Sequence, residues 1–484
     1  AASAFGRDRV LLERYVATPR HIEIQIFGDT HGNVIHLGER ECSAQRRYQK
    51  VLEESPSTFL TPELRARMGA AAVAAGHAID YVNAGTVEFI VAPDGAFYFM
   101  EINTRLQVEH PVTEMVTGLE LVEWQLRVAA GEALPISQEQ LSQRGHAIEV
   151  RLYAEDPDRG FLPSSGRIER LLLPVASPGV RIDAGVTTGD TVSIFYDPMI
   201  AKLIVHAHDR RSALARMAEA LAASEVVGPR TNLVFLERLI RHPAIVEGRI
   251  DTGYLDRHLE EFIGDGEGSV DLATTRMQVL AAAAAVTLLT ESTPASASDD
   301  TQSPWSIADG WRVGHDDPRR LSLSWRGQRF DLSLAIDANS TRVSADDTSA
   351  IIEGARLDAG WLSARIDGSA MRWRVHAFDD GDTLVLHDGT RRHRVQCLPA
   401  YQHGTTAVAG GGNAVAAPMP GRVVLLRVAV GDDVVLDQEL LVMEAMKMEL
   451  ALKAPRAGRI ESINAGVGDF VEADAVLVRL VNAS

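Results

Sequence analysis

The chain has 484 residues, 46% hydrophobic and 24% charged, enough material for three or four cores at ~100–200 residues per domain. Its 48 basic against 66 acidic residues leave a formal charge of −18, which excludes bare nucleic acid as a general partner. Cys42 and Cys397 support neither a disulfide framework nor a cysteine zinc site, and the longest apolar run, 279–289, is half the ~20 residues a bilayer span needs.

The first residues run straight into a strand-like 10–16 without an initiator methionine, the start expected of a chain entered partway through a domain. From 1 to about 265, strands at 22–27, 86–91 and 96–102 alternate with helices, the pattern of an α+β or α/β enzyme-like domain. A helix over 61–78 has Thr61 as its N-cap, Pro62 at its first position and Glu63 in its first turn. Another over 112–130 starts after Pro111 and stops before Gly131. Between them Glu101, Asn103, Arg105, Gln107 and Glu109 alternate with Ile102, Thr104, Leu106 and Val108. On an extended backbone the hydrogen-bonding groups share one face, a floor suited to metal ions and a small oxyanion, with Glu88 as a third carboxylate. A solvated strand face is the plain alternative. Against it, the apolar run 97–100 points to a strand entering the interior.

A Met/Ala/Leu-rich helix at 272–289 ends in a polar low-complexity stretch reaching Pro304, which reads as a linker. From 305 to 400, short alternating strands at 321–325, 330–336, 361–366, 371–378, 383–386 and 393–398 read as a small antiparallel barrel or sandwich. A glycine-rich hinge follows at 404–413. Beyond it, Ala-Pro-x-x-Gly-Arg at 417–422 recurs at 454–459, a shift of 454 − 417 = 37, and Val-Gly-Asp at 430–432 recurs at 467–469. The copies predict two like-folded halves packed face to face about an approximate two-fold axis. Between them lies Glu-Ala-Met-Lys-Met-Glu at 444–449, which puts Lys447 in the joining turn. An edge strand with Met446 and Met448 in the core is one reading. The other is a presented amine that carries a swinging group, the methionines forming an adaptable recognition surface.

The Ala-Met-Lys-Met sequence around Lys447 resembles the signature of biotin carrier domains, with lipoyl domains as the main alternative; the paired methionines and the flanking repeat favour biotin. The Glu-x-Asn-x-Arg-x-Gln-x-Glu-His sequence at 101–110 is similar to the signature of biotin carboxylase, an ATP-grasp enzyme. Blocks at 13–15, 19–23, 41–50, 151–157, 161–164 and 196–202 extend the likeness over most of 9–262. The resemblance implies that Glu88 and Glu101 hold Mg²⁺ (or Mn²⁺) against the phosphates of ATP, with Asn103 beside them. It implies nucleotide contacts from Glu13, His21 and Gln45, and a bicarbonate site made by Arg105, Gln107, Lys50 and the Val108 backbone amide. Glu109 is then the general base that takes the proton of bicarbonate, and Arg151 stabilises negative charge on the biotin ureido oxygen. Tyr48 stands where the family usually has His, a change that bears on nucleotide affinity rather than reaction type.

Together these units resemble the α subunit of biotin-dependent acyl-CoA carboxylases, a ligase forming C–N and C–C bonds. The implied α+β multidomain architecture begins with a partial ATP-grasp biotin carboxylase at 1–265, lacking the N-terminal subdomain and the glycine-rich lid. A helix and linker (266–304), a β-barrel that docks α to β (305–402), a flexible linker (403–413) and a flattened β-sandwich biotinyl domain (414–484) follow. The implied cofactors are biotin on Lys447, ATP and Mg²⁺. The implied partners are a separate carboxyltransferase β subunit and biotin protein ligase, within a large α/β hetero-oligomer and with no nucleic acid or membrane. The expected location is the bacterial cytoplasm, or the mitochondrial matrix of a eukaryote. The expected acyl substrate is of the 3-methylcrotonyl-CoA or geranyl-CoA type. Alternatives are a propionyl-CoA or acetyl-CoA carboxylase α subunit, a lipoyl-bearing transferase subunit, or a catalytically incomplete carrier and scaffold.

Overall fold

The computed structural model describes residues 6–481 apart from 13, 48, 264–271, 293–317, 338, 379–380, 389–390, 400–412, 446–447 and 474. The two expected linkers, at 290–304 and 404–413, fall almost wholly outside the described residues. Among the described residues, no helix is long and apolar enough to cross a membrane.

The first unit is built on an eight-stranded antiparallel sheet. Its strands are β1 (Arg20–Gly28), β2 (Val34–Arg46), β3 (Gln49–Ser55), β4 (Asn83–Val91), β5 (Phe97–Asn103), β6 (His146–Tyr153), β7 (Val180–Ala184) and β8 (Met199–Ala207), in the order β7-β8-β6-β3-β2-β1-β4-β5. In β1, isoleucine alternates with polar residues. Ile22, Ile24 and Ile26 therefore pack with Leu64, Met68 and Ala72 of helix α1 (Pro62–Ala78), while His21, Glu23 and Gln25 face the other side. Thr61 caps α1 as expected, its hydroxyl accepting from the Leu64 amide at 3.2 Å. Gly69 lets α1 lie close on the sheet, because a Cβ there would come within 2.6 Å of His36.

The helix expected over 112–130 is two helices, α2 (His110–Thr117) and α3 (Leu121–Ala129). Gly118, at φ 74°, ends α2 in the left-handed conformation, and the Glu114 carboxylate accepts from the Leu121 amide at 2.7 Å where α3 begins. The apolar run at 97–100 does not enter the interior either. β5 is an edge strand, with Phe99 59% and Met100 41% exposed.

On the apolar side of β6 and β8, helices α4 (Arg210–Ala223) and α5 (Leu233–Arg241) complete a second core around Val150, Leu203, Met217 and Leu236.

The second unit is a closed antiparallel barrel of eight strands, β9 (Arg319–Trp325), β10 (Gln328–Ile336), β11 (Ser340–Ala345), β12 (Thr348–Asp358), β13 (Trp361–Ile366), β14 (Ser369–Ala377), β15 (Thr383–His387) and β16 (Arg392–Leu398). The sequence pattern marked six of them and missed β11 and β12. Helix α6 (Leu272–Ser292), grouped with the linker in the segment 266–304, packs into the barrel's apolar core. The reason is compositional: Val279, Leu280 and Ala281–Ala284 leave no polar face, so the helix must be enclosed on all sides. Ala283→Leu should therefore overpack this core and cost about 1–3 kcal/mol, read as a lowered denaturation midpoint. The barrel leans on the first unit through Arg392, which pairs with Glu237 at 2.9 Å and donates to the carbonyls of Leu221, Ala222 and Ser224 at the end of α4.

The third unit keeps the approximate two-fold relation its repeat predicts, but the two halves interleave rather than pack face to face. Its strands are β17 (Ala414–Ala416), β18 (Gly421–Leu426), β19 (Asp433–Val434), β20 (Glu439–Ala445), β21 (Met448–Lys453), β22 (Gly458–Ile463), β23 (Phe470–Val471) and β24 (Val476–Leu480). They form two four-stranded sheets, β17-β24-β22-β19 and β21-β20-β18-β23, each taking strands from both copies. Pairings repeat at the same shift: Gly421 faces Val471, and Gly458 faces Val434. Even the backbone bonds are related, since Gly431 donates to Ile460 and Gly468 donates to Val423. The hairpin of β20 and β21 closes with Ala445 opposite Met448; Met446 and Lys447 lie outside the described residues. Met419 and Ala445 pack into the apolar cluster of β6 and β8, so this end of the unit rests on the first.

Candidate active site

The polar face of the eight-stranded sheet carries a dense row of charged side chains. Directly opposite one another across β5, β4, β1 and β2 stand Glu101, Glu88, Glu23 and Arg40. Three carboxylates in one row require cations. Arg40, fully buried, donates to Glu23 (2.5 Å), Gln25 (2.7 Å), Gln107 (2.8 Å), and the hydroxyls of Thr86 and Thr113 (3.1 Å each). Lys50 reaches Glu23 (2.6 Å), Glu88 (3.2 Å) and Glu109 (2.5 Å) at once. His21 Nε2 lies 3.0 Å from Glu88.

Burial alone would raise the carboxyl of Glu23, but Arg40 and then Lys50 hold it down at about 2. Glu88 is likewise held at about 2, burial being outweighed by the His21 ring 3.0 Å away and by Lys50. Lys50 moves the other way: burial would lower it, yet Glu23 and the other carboxylates raise it, so its charge is permanent.

Further along the face, Arg151 bridges Glu53 (2.6 Å) and Glu109 (2.9 Å). Glu149 faces Glu53 across β3 and β6, fully buried, and burial followed by repulsion from Glu53 pushes its carboxyl well up. Glu88 and Glu101 stand opposite each other, and the Asn103 amide donates to both, at 2.9 and 3.1 Å. Two facing carboxylates beside an amide oxygen make an oxygen donor set that fits a hard divalent cation such as Mg²⁺.

The alternating ladder expected through Glu109 stops at Asn103, where β5 ends. The chain then turns, and Pro111 starts α2, so Gln107 and Glu109 are buried by a loop rather than by a strand. Gln107 is fixed from both ends of its amide, accepting from Arg40 and donating to Glu88 at 2.8 Å. The Val108 carbonyl accepts from Lys202 at 2.5 Å. Arg105 stays exposed, touching only Asn103 (3.3 Å) and its neighbour's carbonyl.

His21, Lys50, Glu88, Glu101, Asn103, Gln107, Val108, Glu109 and Arg151 are therefore brought together. Arg105 sits at their rim, and Gln45 is buried opposite Lys50 in the β2–β3 register. Glu13, Tyr48 and Lys447 lie outside the described residues. Sequence reasoning missed Glu23, Arg40, Glu53, Glu149 and Lys202. The His-Ile-Glu-Ile-Gln-Ile alternation at 21–26 was a signal for Glu23, since it puts Glu23 on the same face as His21.

One buried carboxyl beside this face gives a pH test. Glu155, 3% exposed, is pushed up to about 7 by burial, only partly offset by Arg46 and by the Gln49 amide at 3.4 Å. A folded value above the unfolded 4.5 gives stability that is complete below 4.5 and lost as pH rises through 7. Relative to the unaltered protein, Glu155→Gln should gain about 2 kcal/mol between pH 5 and pH 8, measured by denaturant unfolding at both. An equal difference at the two pH values would contradict this.

Comparison with known families agrees with the geometry. Residues 1–137 match the family described as carbamoyl-phosphate synthase L chain, ATP binding domain, and 149–257 match the biotin carboxylase C-terminal domain. Residues 276–400 match the methylcrotonyl-CoA carboxylase alpha-subunit BT domain, and 413–480 match biotin-requiring enzyme. The mitochondrial methylcrotonoyl-CoA carboxylase subunit alpha of Dictyostelium discoideum is 40% identical over 494 residues, spanning 99% of this chain and 69% of that protein. The propionyl-CoA carboxylase alpha chain of Ruegeria pomeroyi is also 40% identical, spanning 99% and 72%. The solved biotin carboxylase domain of a thermophilic 2-oxoglutarate carboxylase bound to bicarbonate is 47% identical at a TM-score of 0.53, over 54% of this chain and 59% of that one. With a carboxylase fold, a barrel and a repeated biotinyl unit in one chain, and such relatives along nearly its whole length, the protein belongs to the family of biotin-dependent acyl-CoA carboxylase α subunits.

Proposed function

We propose that this chain carboxylates biotin carried on Lys447, using ATP and bicarbonate, and hands the carboxyl group to a separate carboxyltransferase β subunit. Biotin, ATP and Mg²⁺ serve this family, whose α subunits work with such a β subunit. The observation that carries the reading is Glu109, whose carboxylate is shared by Lys50 and Arg151 on a buried face next to the Glu88–Glu101 pair.

Mg²⁺, when bound, neutralises phosphate charge on ATP, and Glu88, Glu101 and Asn103 are the residues that would hold it. Biotin on Lys447, when attached, supplies the ureido nitrogen that takes up the carboxyl group. The chain's own groups do the rest. His21 and Gln45 line the nucleotide side, and Glu13, outside the described residues, is a further nucleotide contact in this reading. Lys50, Arg105, Gln107 and the Val108 amide bind bicarbonate, Lys50 as a permanent cation. Glu109 accepts the proton that bicarbonate loses as it attacks the γ-phosphate. Arg151, freed from Glu109 once that proton is taken up, is placed to hold negative charge on the ureido oxygen.

The acyl substrate is read as 3-methylcrotonyl-CoA or geranyl-CoA. Propionyl-CoA is the second reading, favoured by the equal 40% identity of the Ruegeria protein, and assays of the α/β complex with each thioester separate them. Labelling by biotin protein ligase, assembly into a large α/β oligomer and a cytoplasmic or mitochondrial-matrix location belong to the same reading. Lys447→Arg should abolish biotin labelling on a streptavidin blot. Retained labelling would place the biotin on another lysine.

A further inference from the structure

The block at 196–202 ends on a lysine to which the reaction above assigns nothing. Lys202 is 8% exposed in β8, and its ammonium is spent on a neutral group, the carbonyl of Val108, at 2.5 Å. The sheet register explains how it gets there. Asp183, Lys202 and Arg151 stand directly opposite one another across β7, β8 and β6. Two neighbouring cations thus reach the same turn from adjacent strands, Arg151 binding the Glu109 carboxylate and Lys202 the peptide before it. Asp183, at 3.3 Å, aims the ammonium; Glu149 lies farther off, at 3.9 Å.

The Val108 carbonyl belongs to the planar peptide that carries the Glu109 amide, so fixing it fixes the direction in which the Glu109 side chain leaves the turn. It also fixes one dihedral of Val108, whose amide faces bicarbonate in the reading above. Arg151 cannot do this alone, because a side-chain contact leaves the peptide plane free to rotate.

We propose that Lys202 is a positioning residue that locks the 107–109 turn in the geometry that binds bicarbonate, with Asp183 as its keeper. This rests on the carboxylase reading for its kinetic consequence but not for its structural one. A charge that merely balances Asp183 would leave the turn unaffected by its loss.

The test uses the whole biotinylated chain and two readouts. In Lys202→Met, amide exchange over 105–111 should speed up about tenfold while β1 and β4 keep their protection, and KM for bicarbonate should rise about tenfold with KM for ATP moved less than about twofold. Lys202→Arg, which still donates to a carbonyl, should recover most of both. Unchanged exchange over the turn, or a parallel rise of both KM values, would overturn the proposal. If Lys202→Met does not fold, Asp183→Asn should give the same pattern at about threefold, and no change there overturns it. If the unaltered chain shows no bicarbonate-dependent ATP hydrolysis, the carboxylase reading fails, and the exchange measurement still decides the role of Lys202.

Discussion

Glu109→Gln should lower bicarbonate- and biotin-dependent ATP hydrolysis by about 10²–10⁴-fold, the range over which a positioned proton acceptor acts. The amide keeps the shape of the side chain and removes its ability to take a proton. Its neighbours are not stranded by the change. Lys50 keeps Glu23 at 2.6 Å and Glu88 at 3.2 Å, and Arg151 keeps Glu53 at 2.6 Å. The folded state should therefore survive, and ATP binding measured by calorimetry should move little. Loss of ATP binding together with activity would mean that the substitution acts through the fold. A loss of activity below about fivefold would remove Glu109 from the role of base.

Arg40→Met should be the most destabilising single change on the polar face. It strips five hydrogen bonds from a position with no solvent access and leaves the Glu23 carboxylate with Lys50 as its remaining cation. Breaking a buried ion pair by removing one partner costs about 3–5 kcal/mol, because the other charge stays buried. In a domain of this size that corresponds to a fall in Tm of roughly 10 °C, read by calorimetry. Arg40→Lys should recover only part of it, since a point charge cannot serve Glu23, Gln25 and Gln107 in one fork. Full recovery by Lys would show that charge alone matters at this position.

How much of this was legible in the sequence depends on how local the signal is. The alternation at 21–26 is written residue by residue and gives both β1 and its polar face. The 37-residue repeat is written twice, and the paired glycines Gly431 and Gly468 reproduce it in hydrogen bonds. The helix at Pro62–Ala78 carries its own start signal in Thr61 and Pro62. The alternation over 101–109 points to a strand throughout, but β5 ends at Asn103 and the following turn buries Gln107 and Glu109 by other means. The structure departs from that ladder in its backbone. Glu53, Glu149 and Lys202 carried no local signal. They matter because β3, β6 and β8 lie side by side, and that adjacency is a property of the sheet. The same holds for α6, whose apolar surface was plain in the sequence although its enclosure by the barrel was not.

If the buried Lys50–Glu109–Arg151 cluster serves carboxylation of biotin on Lys447, the carboxyl group must pass through it to that lysine. The direct measurement is ATP-dependent transfer of ¹⁴C from bicarbonate to the biotinylated protein, followed by mapping of the labelled peptide. Label should appear on the peptide containing Lys447, depend strictly on ATP and Mg²⁺, and be lost in both Glu109→Gln and Lys447→Arg. Label that survives Glu109→Gln undiminished, or that maps away from Lys447, would contradict it.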